Sequence, residues 1–363
     1  MPENNRSARN PVGRIKTSNA IYPILIGLGV VGYLFYKDFN PKVFDVIAFS
    51  WGMLWWLLVA VLLMAGRDIG YMARLRILSR RELTWRQAFR VIMLWEFTSA
   101  ITPSAVGGTS VAILYVHKEG ISVGRSSAIV MLTSFLDEVY FILMFPLLLL
   151  LVGKNALFDI NATTESVFSM GLITIALIGY FLKLIYVLVL SYGLFINPRG
   201  LKWLLLKIFK IRFLRRWYRS VNNVGTDIIL SSKEIKHYRW TFWGKAFGTT
   251  FLSWSSRYLV ANVLILAFFG MSDQLLLFAR QLVMWIMMLI LPTPGGSGFA
   301  EYIFTVFCGD LIPVAADLQK GAATLIAAVW RFITYYPYLI AGAVIFPRWV
   351  KTHFSRRVFP KKR

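Results

Sequence analysis

Seven ionisable side chains, Glu96, Asp137, Glu138, Lys183, Arg257, Glu301 and Arg331, fall inside or beside strongly apolar stretches. On insertion scales a central Asp, Lys or Arg costs ~2.5–3.5 kcal/mol, whereas a Leu, Ile, Phe or Val returns only ~0.3–0.6 kcal/mol. Such charges survive where they pair, carry protons or meet a charged ligand. Arg257 and Arg331 are therefore candidate receptors for a phosphate, and Glu96, Asp137, Glu138 and Glu301 are candidate gates or proton carriers. The competing reading of each is a structural ion pair. Asp137 and Glu138 are neighbours and point about 100° apart on a helix, which makes them a poor acid/base unit by themselves.

Two glycine-rich breaks lie beside these charges, Thr102-Pro-Ser-Ala-Val-Gly-Gly-Thr-Ser110 and Pro292-Thr-Pro-Gly-Gly-Ser-Gly298. Unwound backbone at membrane depth is tolerated only where it is buried or lines a cavity, and a matched pair of interrupted helices points to a transport site. Gly107, Gly108, Gly295, Gly296, Ser297 and Gly298 are the candidate substrate-binding backbone. Glu301 falls one turn into the half-helix after the second break, whose N-terminus favours an anion such as a phosphate. Glu301 would then bind a cationic headgroup moiety, carry a proton, or pair with Arg331 or Arg257. Arg331 follows Gly295 by 36 residues and Asp137 follows Gly107 by 30, so the two are candidate symmetry-related sites of opposite sign.

The elements that must position these groups are membrane helices. The chain has 363 residues, 57% of them hydrophobic, and a formal charge of +23. The basic residues cluster at the ends of apolar runs, which reads as positive-inside topology and anionic lipid headgroups rather than nucleic acid. No Walker loop or HExxH motif occurs, and the three histidines are scattered. ATP-driven pumping by this chain alone, a resident cofactor and a metal centre are not expected. Cys308 is the sole cysteine, so no disulfide can form within the chain.

Full spans are expected at about Ile21–Tyr36, Phe44–Ala65, Ser126–Val152, Val167–Phe195, Ala246–Phe269 and Gly321–Phe346. The first is read as an uncleaved span rather than a signal peptide. The segments Val91–Val116 and Leu282–Cys308 each hold one break, and the basic loops decide whether they cross. With the N-terminus inside, a loop Arg67–Arg90 with seven arginines is also inside. If Val91–Val116 crossed, the loop Asn197–Lys245, with twelve Lys/Arg against Asp227 and Glu234, would fall outside. A re-entrant pair keeps it inside, and the basic tail after Arg348 makes the second segment re-entrant from the outside. Val91–Thr102 would be ~18 Å of helix, well short of a ~30 Å hydrocarbon core.

The expected architecture is an all-α polytopic membrane protein with about six full spans plus two re-entrant helical hairpins in an inverted repeat. Its parts are a basic cytoplasmic tail (1–20), a first half (21–195), a basic amphipathic cytoplasmic loop (196–245), a second half (246–347) and a second basic tail (348–363). Within the loop, Lys202, Lys207, Lys210, Arg215, Arg216 and Arg219 interleave with Trp203, Leu204, Leu205, Ile208, Phe209 and Phe213, the pattern of a helix lying on an anionic leaflet.

Pro294-Gly295-Gly296-Ser297-Gly298-Phe299-Ala300-Glu301, followed by a last span with Arg331 and Tyr335-Tyr336-Pro337, resembles the transmembrane region of the lysylphosphatidylglycerol synthase/flippase family. Pro103…Gly107-Gly108 resembles its first-half counterpart, and the likeness covers essentially the whole chain. The resemblance implies translocation of aminoacylated phosphatidylglycerol in bifunctional members, which carry a separate soluble synthase domain. Here the chain ends at Arg363 soon after the last span, so no synthase domain is expected. Thr109 and Ser110 stand where many relatives carry charge, which leaves the substrate open. The reading is translocation of a phospholipid or lipid-linked headgroup across the cytoplasmic (inner) membrane, with no catalytic residue assigned and membrane lipids, especially anionic headgroups, as partners. The alternatives are a membrane-embedded transferase acting on a lipid carrier, and a non-catalytic partner of a separate lipid synthase.

Overall fold

The computed structural model describes residues 41–47, 49–102, 105–158, 166–212, 214–215, 218–235, 238–288, 296 and 298–354, with isolated positions 29, 33 and 36. Among them the fold is helical and contains no strand. The long helices are α1 (Trp51–Leu78), α2 (Trp85–Ile101), α3 (Ala105–Lys118), α4 (Val123–Val152), α5 (Ser166–Ser191), α6 (Pro198–Ile208), α7 (Tyr218–Ile235), α8 (Trp240–Phe269), α9 (Gln274–Met287), α10 (Phe299–Cys308), α11 (Gln319–Thr334) and α12 (Tyr336–Phe354). Five stretches of the described residues are long and apolar enough to cross a membrane: Trp51–Leu78, Val123–Val152, Ile173–Ile196, Trp240–Phe269 and Gln319–His353. The expected span Ile21–Tyr36 lies almost wholly outside the described residues.

One expectation is corrected at the first of these helices. Within the span expected at Phe44–Ala65 a short helix, Lys42–Val46, is followed by a separate helix from Trp51, which runs on without a break through the start of the basic loop expected from Arg67 to Leu78. The helix passes through the arginines because Arg67 and Arg74 are buried against partners rather than exposed to water. It starts at Ser50, whose Oγ accepts from the Met53 N–H, and ends in a turn where Arg80 and Arg81 take positive φ. The Arg76 Nε holds that turn by donating to the Leu83 carbonyl at 3.0 Å.

α1 packs antiparallel on α8 along a seam of small residues. An added Cβ at Gly70 would collide with Ser253 Oγ and lie 3.0 Å from the Thr249 carbonyl oxygen. Ser253 in turn donates to the Arg67 carbonyl at 3.1 Å. Close backbone approach of this kind, Gly66-x-x-x-Gly70 against Ser253 and Ser256, drives helix pairing where lipid removes the hydrophobic incentive. α4 carries Pro146, which leaves the Ile142 carbonyl without its helical donor; the Tyr180 hydroxyl of α5 donates to it at 3.4 Å.

α2 and α3 form an antiparallel hairpin. Ser99 faces Gly108 near the tip, Thr98 Oγ1 meets Tyr115 Oη at 2.6 Å, and at the base Arg90 grips Glu119 at 2.6 and 3.0 Å. α9 and α10 form a second hairpin, from Met288 against Gly296 at the tip to Arg280 against Asp310 at the base. The last span then runs along both. α11 follows the second hairpin from its base at Ala323, beside Gly309, through the Phe304–Trp330 stack to Arg331 at the tip. α12 follows the first hairpin from its tip, where Tyr335 meets Ala100, through Phe97–Phe346 to Trp349 at Glu119. The two hairpin bases thus lie at opposite ends of the last span, and their tips converge at its break, Tyr335.

The loop expected over 196–245 is mostly helical: α6, α7 and the first turn of α8. In α6 Leu201 is buried while Trp203, Leu204 and Ile208 stay exposed, and the Lys207 ammonium covers the Trp203 ring at 4.9 Å. That is the composition of an interfacial helix.

Candidate functional site

The second break supplies the most buried ion pair. Gly296 and Gly298 adopt φ of +70° and +83°, a region open to glycine at little cost, which turns the chain into α10. Glu301 then reaches back: Oε2 accepts from the Gly298 N–H at 2.8 Å and Oε1 from Arg331 Nε at 2.8 Å. Both side chains are sealed, at 0% and 2% exposure. The Arg331 guanidinium also lies over the Tyr335 ring at 3.9 Å. Of the options open to Glu301, the structure places it with Arg331. Gly295 and Ser297 lie outside the described residues.

The first break is narrower than expected. α2 ends at Ile101 and α3 begins at Ala105, so Gly107 and Gly108 belong to a helix rather than to unwound backbone. The reason at Gly108 is packing: an added Cβ would collide with Ser99 Oγ of the facing helix. Pro103 and Ser104 lie outside the described residues.

Asp137 and Glu138 diverge, as adjacent helical residues must. Asp137 takes Arg74 at 2.5 and 3.2 Å and the Trp254 indole N–H at 2.7 Å. Glu138 takes Lys183 at 2.7 Å, whose ammonium also sits 4.5 Å from the Phe141 ring centroid. Glu96 binds Arg67 at 2.5 Å, and the same guanidinium binds Asp68 at 2.8 Å. Tyr71 lies between Arg67 and Arg74, its ring 4.5 and 4.7 Å from their guanidinium carbons. All of these charges belong to the first half of the chain, and the second half adds neutral donors to them, Trp254 of α8 on Asp137 and Tyr338 of α12 on Asp68.

Arg257 is different. Its guanidinium lies over Trp285 at 4.5 Å and Trp254 at 5.8 Å, and it is partly buried. Among the described residues it forms no ion pair, whereas Arg67, Arg74, Lys183, Arg280 and Arg331 each hold a carboxylate. Trp285 belongs to the last turn of α9, three residues before Met288, so this cation flanks the tip of the second hairpin.

Sequence reasoning missed Arg67, Asp68, Arg74, Trp254, Arg280, Trp285, Asp310 and Tyr338. Arg67, Tyr71 and Arg74 recur at helical spacing on the Gly66/Gly70 face, and that periodicity would have revealed them. Arg280 is fully buried and ties three elements together, donating to Asp310 at 2.6 and 2.8 Å, to the Phe307 carbonyl and to the Ala156 carbonyl. Among the described residues, no cluster of three His, Cys, Asp or Glu side chains is arranged to hold a metal ion.

Residues 20–342 match the family described as the lysylphosphatidylglycerol synthase TM region. A UPF0104 membrane protein of Archaeoglobus fulgidus is 24% identical over 339 residues, covering 88% of this chain and 94% of the relative. No solved structure matches the chain. Breadth of match and helical membrane architecture agree, and the chain belongs to the lysylphosphatidylglycerol synthase transmembrane-region family as a multi-pass membrane protein.

Proposed function

We propose that this protein moves the phosphate-bearing headgroup of a lipid across the cytoplasmic membrane, without hydrolysing ATP. The observation that carries the reading is Arg257, an arginine in a membrane-length helix held between two indoles with no carboxylate to neutralise it among the described residues. A partly buried cation beside a hairpin tip attracts a phosphate more strongly than one in open water, because a lower dielectric magnifies the interaction. Acyl tails stay in the bilayer, so only the polar head needs a path.

The helix lengths support two re-entrant hairpins. α3, α9 and α10 have 14, 14 and 10 residues, about 21, 21 and 15 Å, each short of a ~30 Å core. Bases at opposite ends of the last span support an inverted repeat, the architecture that alternating access exploits. The base of the first hairpin and the end of α12 share one side with Arg76, Arg80, Arg81, Arg86, Arg90, Arg348 and Lys351. Positive charge on that side supports cytoplasmic termini. Gly296, Gly298 and the Glu301–Arg331 pair would shape the neck of the path, and Glu96, Asp137 and Glu138 would gate it. The divergence of Asp137 and Glu138 to separate cations favours this reading over a transferase that would use them as a pair.

The test is headgroup translocation in reconstituted vesicles with labelled phosphatidylglycerol, its aminoacyl form, phosphatidylethanolamine and an isoprenyl-linked sugar. One lipid class should move, and Arg257→Ala should slow it roughly thirtyfold, the equivalent of ~2 kcal/mol for a truncated charge contact. Arg257→Lys should retain part of the rate. Folded protein that moves none of them would redirect the assignment to a transferase or to a partner of a separate lipid synthase.

A further inference from the structure

Most carboxylates of the membrane helices and hairpins hold a cation of their own among the described residues, while one cation, Arg257, holds no carboxylate. Asp137 has Arg74, Glu138 has Lys183, Glu301 has Arg331 and Asp310 has Arg280. Asp68 and Glu96 must share Arg67. With both ionised, that trio carries one uncompensated negative charge.

The surroundings do not supply the missing cation. From α12, the Tyr338 hydroxyl lies 2.9 Å from both Asp68 oxygens, to which it donates. From α1 comes the Tyr71 ring, and from α8 the Ser253 hydroxyl on the Arg67 carbonyl. Beyond Tyr71, the Arg74–Asp137 pair is already neutral. Two carboxylates competing for one charge at a partly buried site are relieved when one of them takes up a proton.

Two further observations point to a proton that exchanges. The Asp68 and Glu96 side chains keep 21% and 28% exposure while Glu301 keeps none, so the first two, unlike Glu301, are not sealed off. The Arg67 Nε is buried without a hydrogen-bond partner, which leaves the guanidinium a spare donor for whichever carboxylate retains its charge. We propose that Asp68 and Glu96 together bind one exchangeable proton, and that its uptake and release are coupled to headgroup transfer. On uptake an O–H bond forms on one carboxyl oxygen, with the proton drawn from water, and the other carboxylate keeps Arg67; release reverses this, and no electrons move. Through Tyr338 the site reaches the last span three residues after its break at Tyr335, so the charge state acts where the two hairpin tips meet. The coupling rests on the headgroup-transfer reading; the proton site does not.

The experiment has two arms on the full chain in lipid. Infrared spectroscopy across a pH titration should show the carbonyl stretch of a protonated carboxyl group at neutral pH. That band should be lost in Asp68→Asn and in Glu96→Gln and kept in Glu82→Gln, a surface carboxylate. In vesicles an imposed pH gradient should accelerate lipid movement in one direction severalfold, and both site variants should lose that bias. Absence of the band from the wild-type titration overturns the proton site even if no variant folds, and a band unchanged in both variants overturns its placement. Lipid movement indifferent to the gradient overturns the coupling. A normal band with no movement of any lipid would instead defeat the headgroup-transfer reading and leave the proton site standing.

Discussion

The Tyr335 hydroxyl donates to the Ala100 carbonyl at 3.1 Å, joining residues 235 positions apart. The bond satisfies a carbonyl in the last turn of α2, which has no helical donor of its own. Four residues before Tyr335, Arg331 grips Glu301 at the other hairpin. One turn of the last span therefore holds both hairpin tips, and a shift at Tyr335 would be felt by each.

The Glu301–Arg331 pair should behave as a unit. Removing one partner from a buried ion pair costs ~3–5 kcal/mol, because the other charge is left alone. We expect Glu301→Gln and Arg331→Met each to lower thermal stability in detergent by an amount of that order. The double variant should cost clearly less than the two losses added. Additive losses would show that the charges do not sense each other.

The α1–α8 seam predicts a contrast between two glycines one turn apart. Gly70→Leu must displace Ser253 and the backbone at Thr249, and overpacking of this kind costs ~1–3 kcal/mol. At Gly66 an added Cβ meets Ser256 Oγ only at 3.7 Å, so Gly66→Ala should stay within ~0.5 kcal/mol. Equal effects in a thermal-shift comparison would contradict the described packing.

Asp227 lies on α7, outside the membrane-length helices, and α7 packs on α4 through contacts such as Ser231 Oγ to Met131 Sδ at 3.5 Å. Burial raises the Asp227 carboxyl above its ordinary value of 3.8. A folded-state pKa above the unfolded one gives a contribution fully present below the unfolded value and lost as pH rises through the folded value. Docking of α7 should therefore loosen between acidic and neutral pH, and Asp227→Asn should flatten that dependence. Hydrogen exchange of the α7 amides, corrected for intrinsic rates, checks both; an unchanged slope in the variant would count against it.

Topology can be read by thiol labelling, but not at Cys308, which is fully buried. On a Cys308→Ser background, Asp317→Cys and Lys351→Cys place exposed thiols before and near the end of the last span. We expect an impermeant reagent to reach the first from outside and the second only from the cytoplasmic side. Labelling of both from one side would eliminate the last span as a crossing.

What the sequence by itself determined was one-dimensional. Apolar run lengths defined the membrane-length helices from Val123 onward, charge distribution separated the amphipathic segment of α6, and Gly296 and Gly298 marked the second break, where the backbone takes positive φ. The family resemblance was likewise legible in the residues around Pro294–Glu301. Tertiary structure decided whatever depended on a partner distant in the chain. Arg67 and Arg74 read as loop residues because hydropathy counts a charge as a cost, and only Glu96, Asp68 and Asp137 from other positions turn them into buried helix. Gly107 and Gly108 read as a break because glycine is a weak helix former, until Ser99 shows that Gly108 makes room for a neighbouring helix. The two arginines first chosen as phosphate receptors differ for the same reason: Arg331 is held by Glu301, whereas among the described residues Arg257 has only Trp254 and Trp285. A charge buried in a membrane takes its meaning from its counter-charge, and that spatial relation is not written in the local sequence.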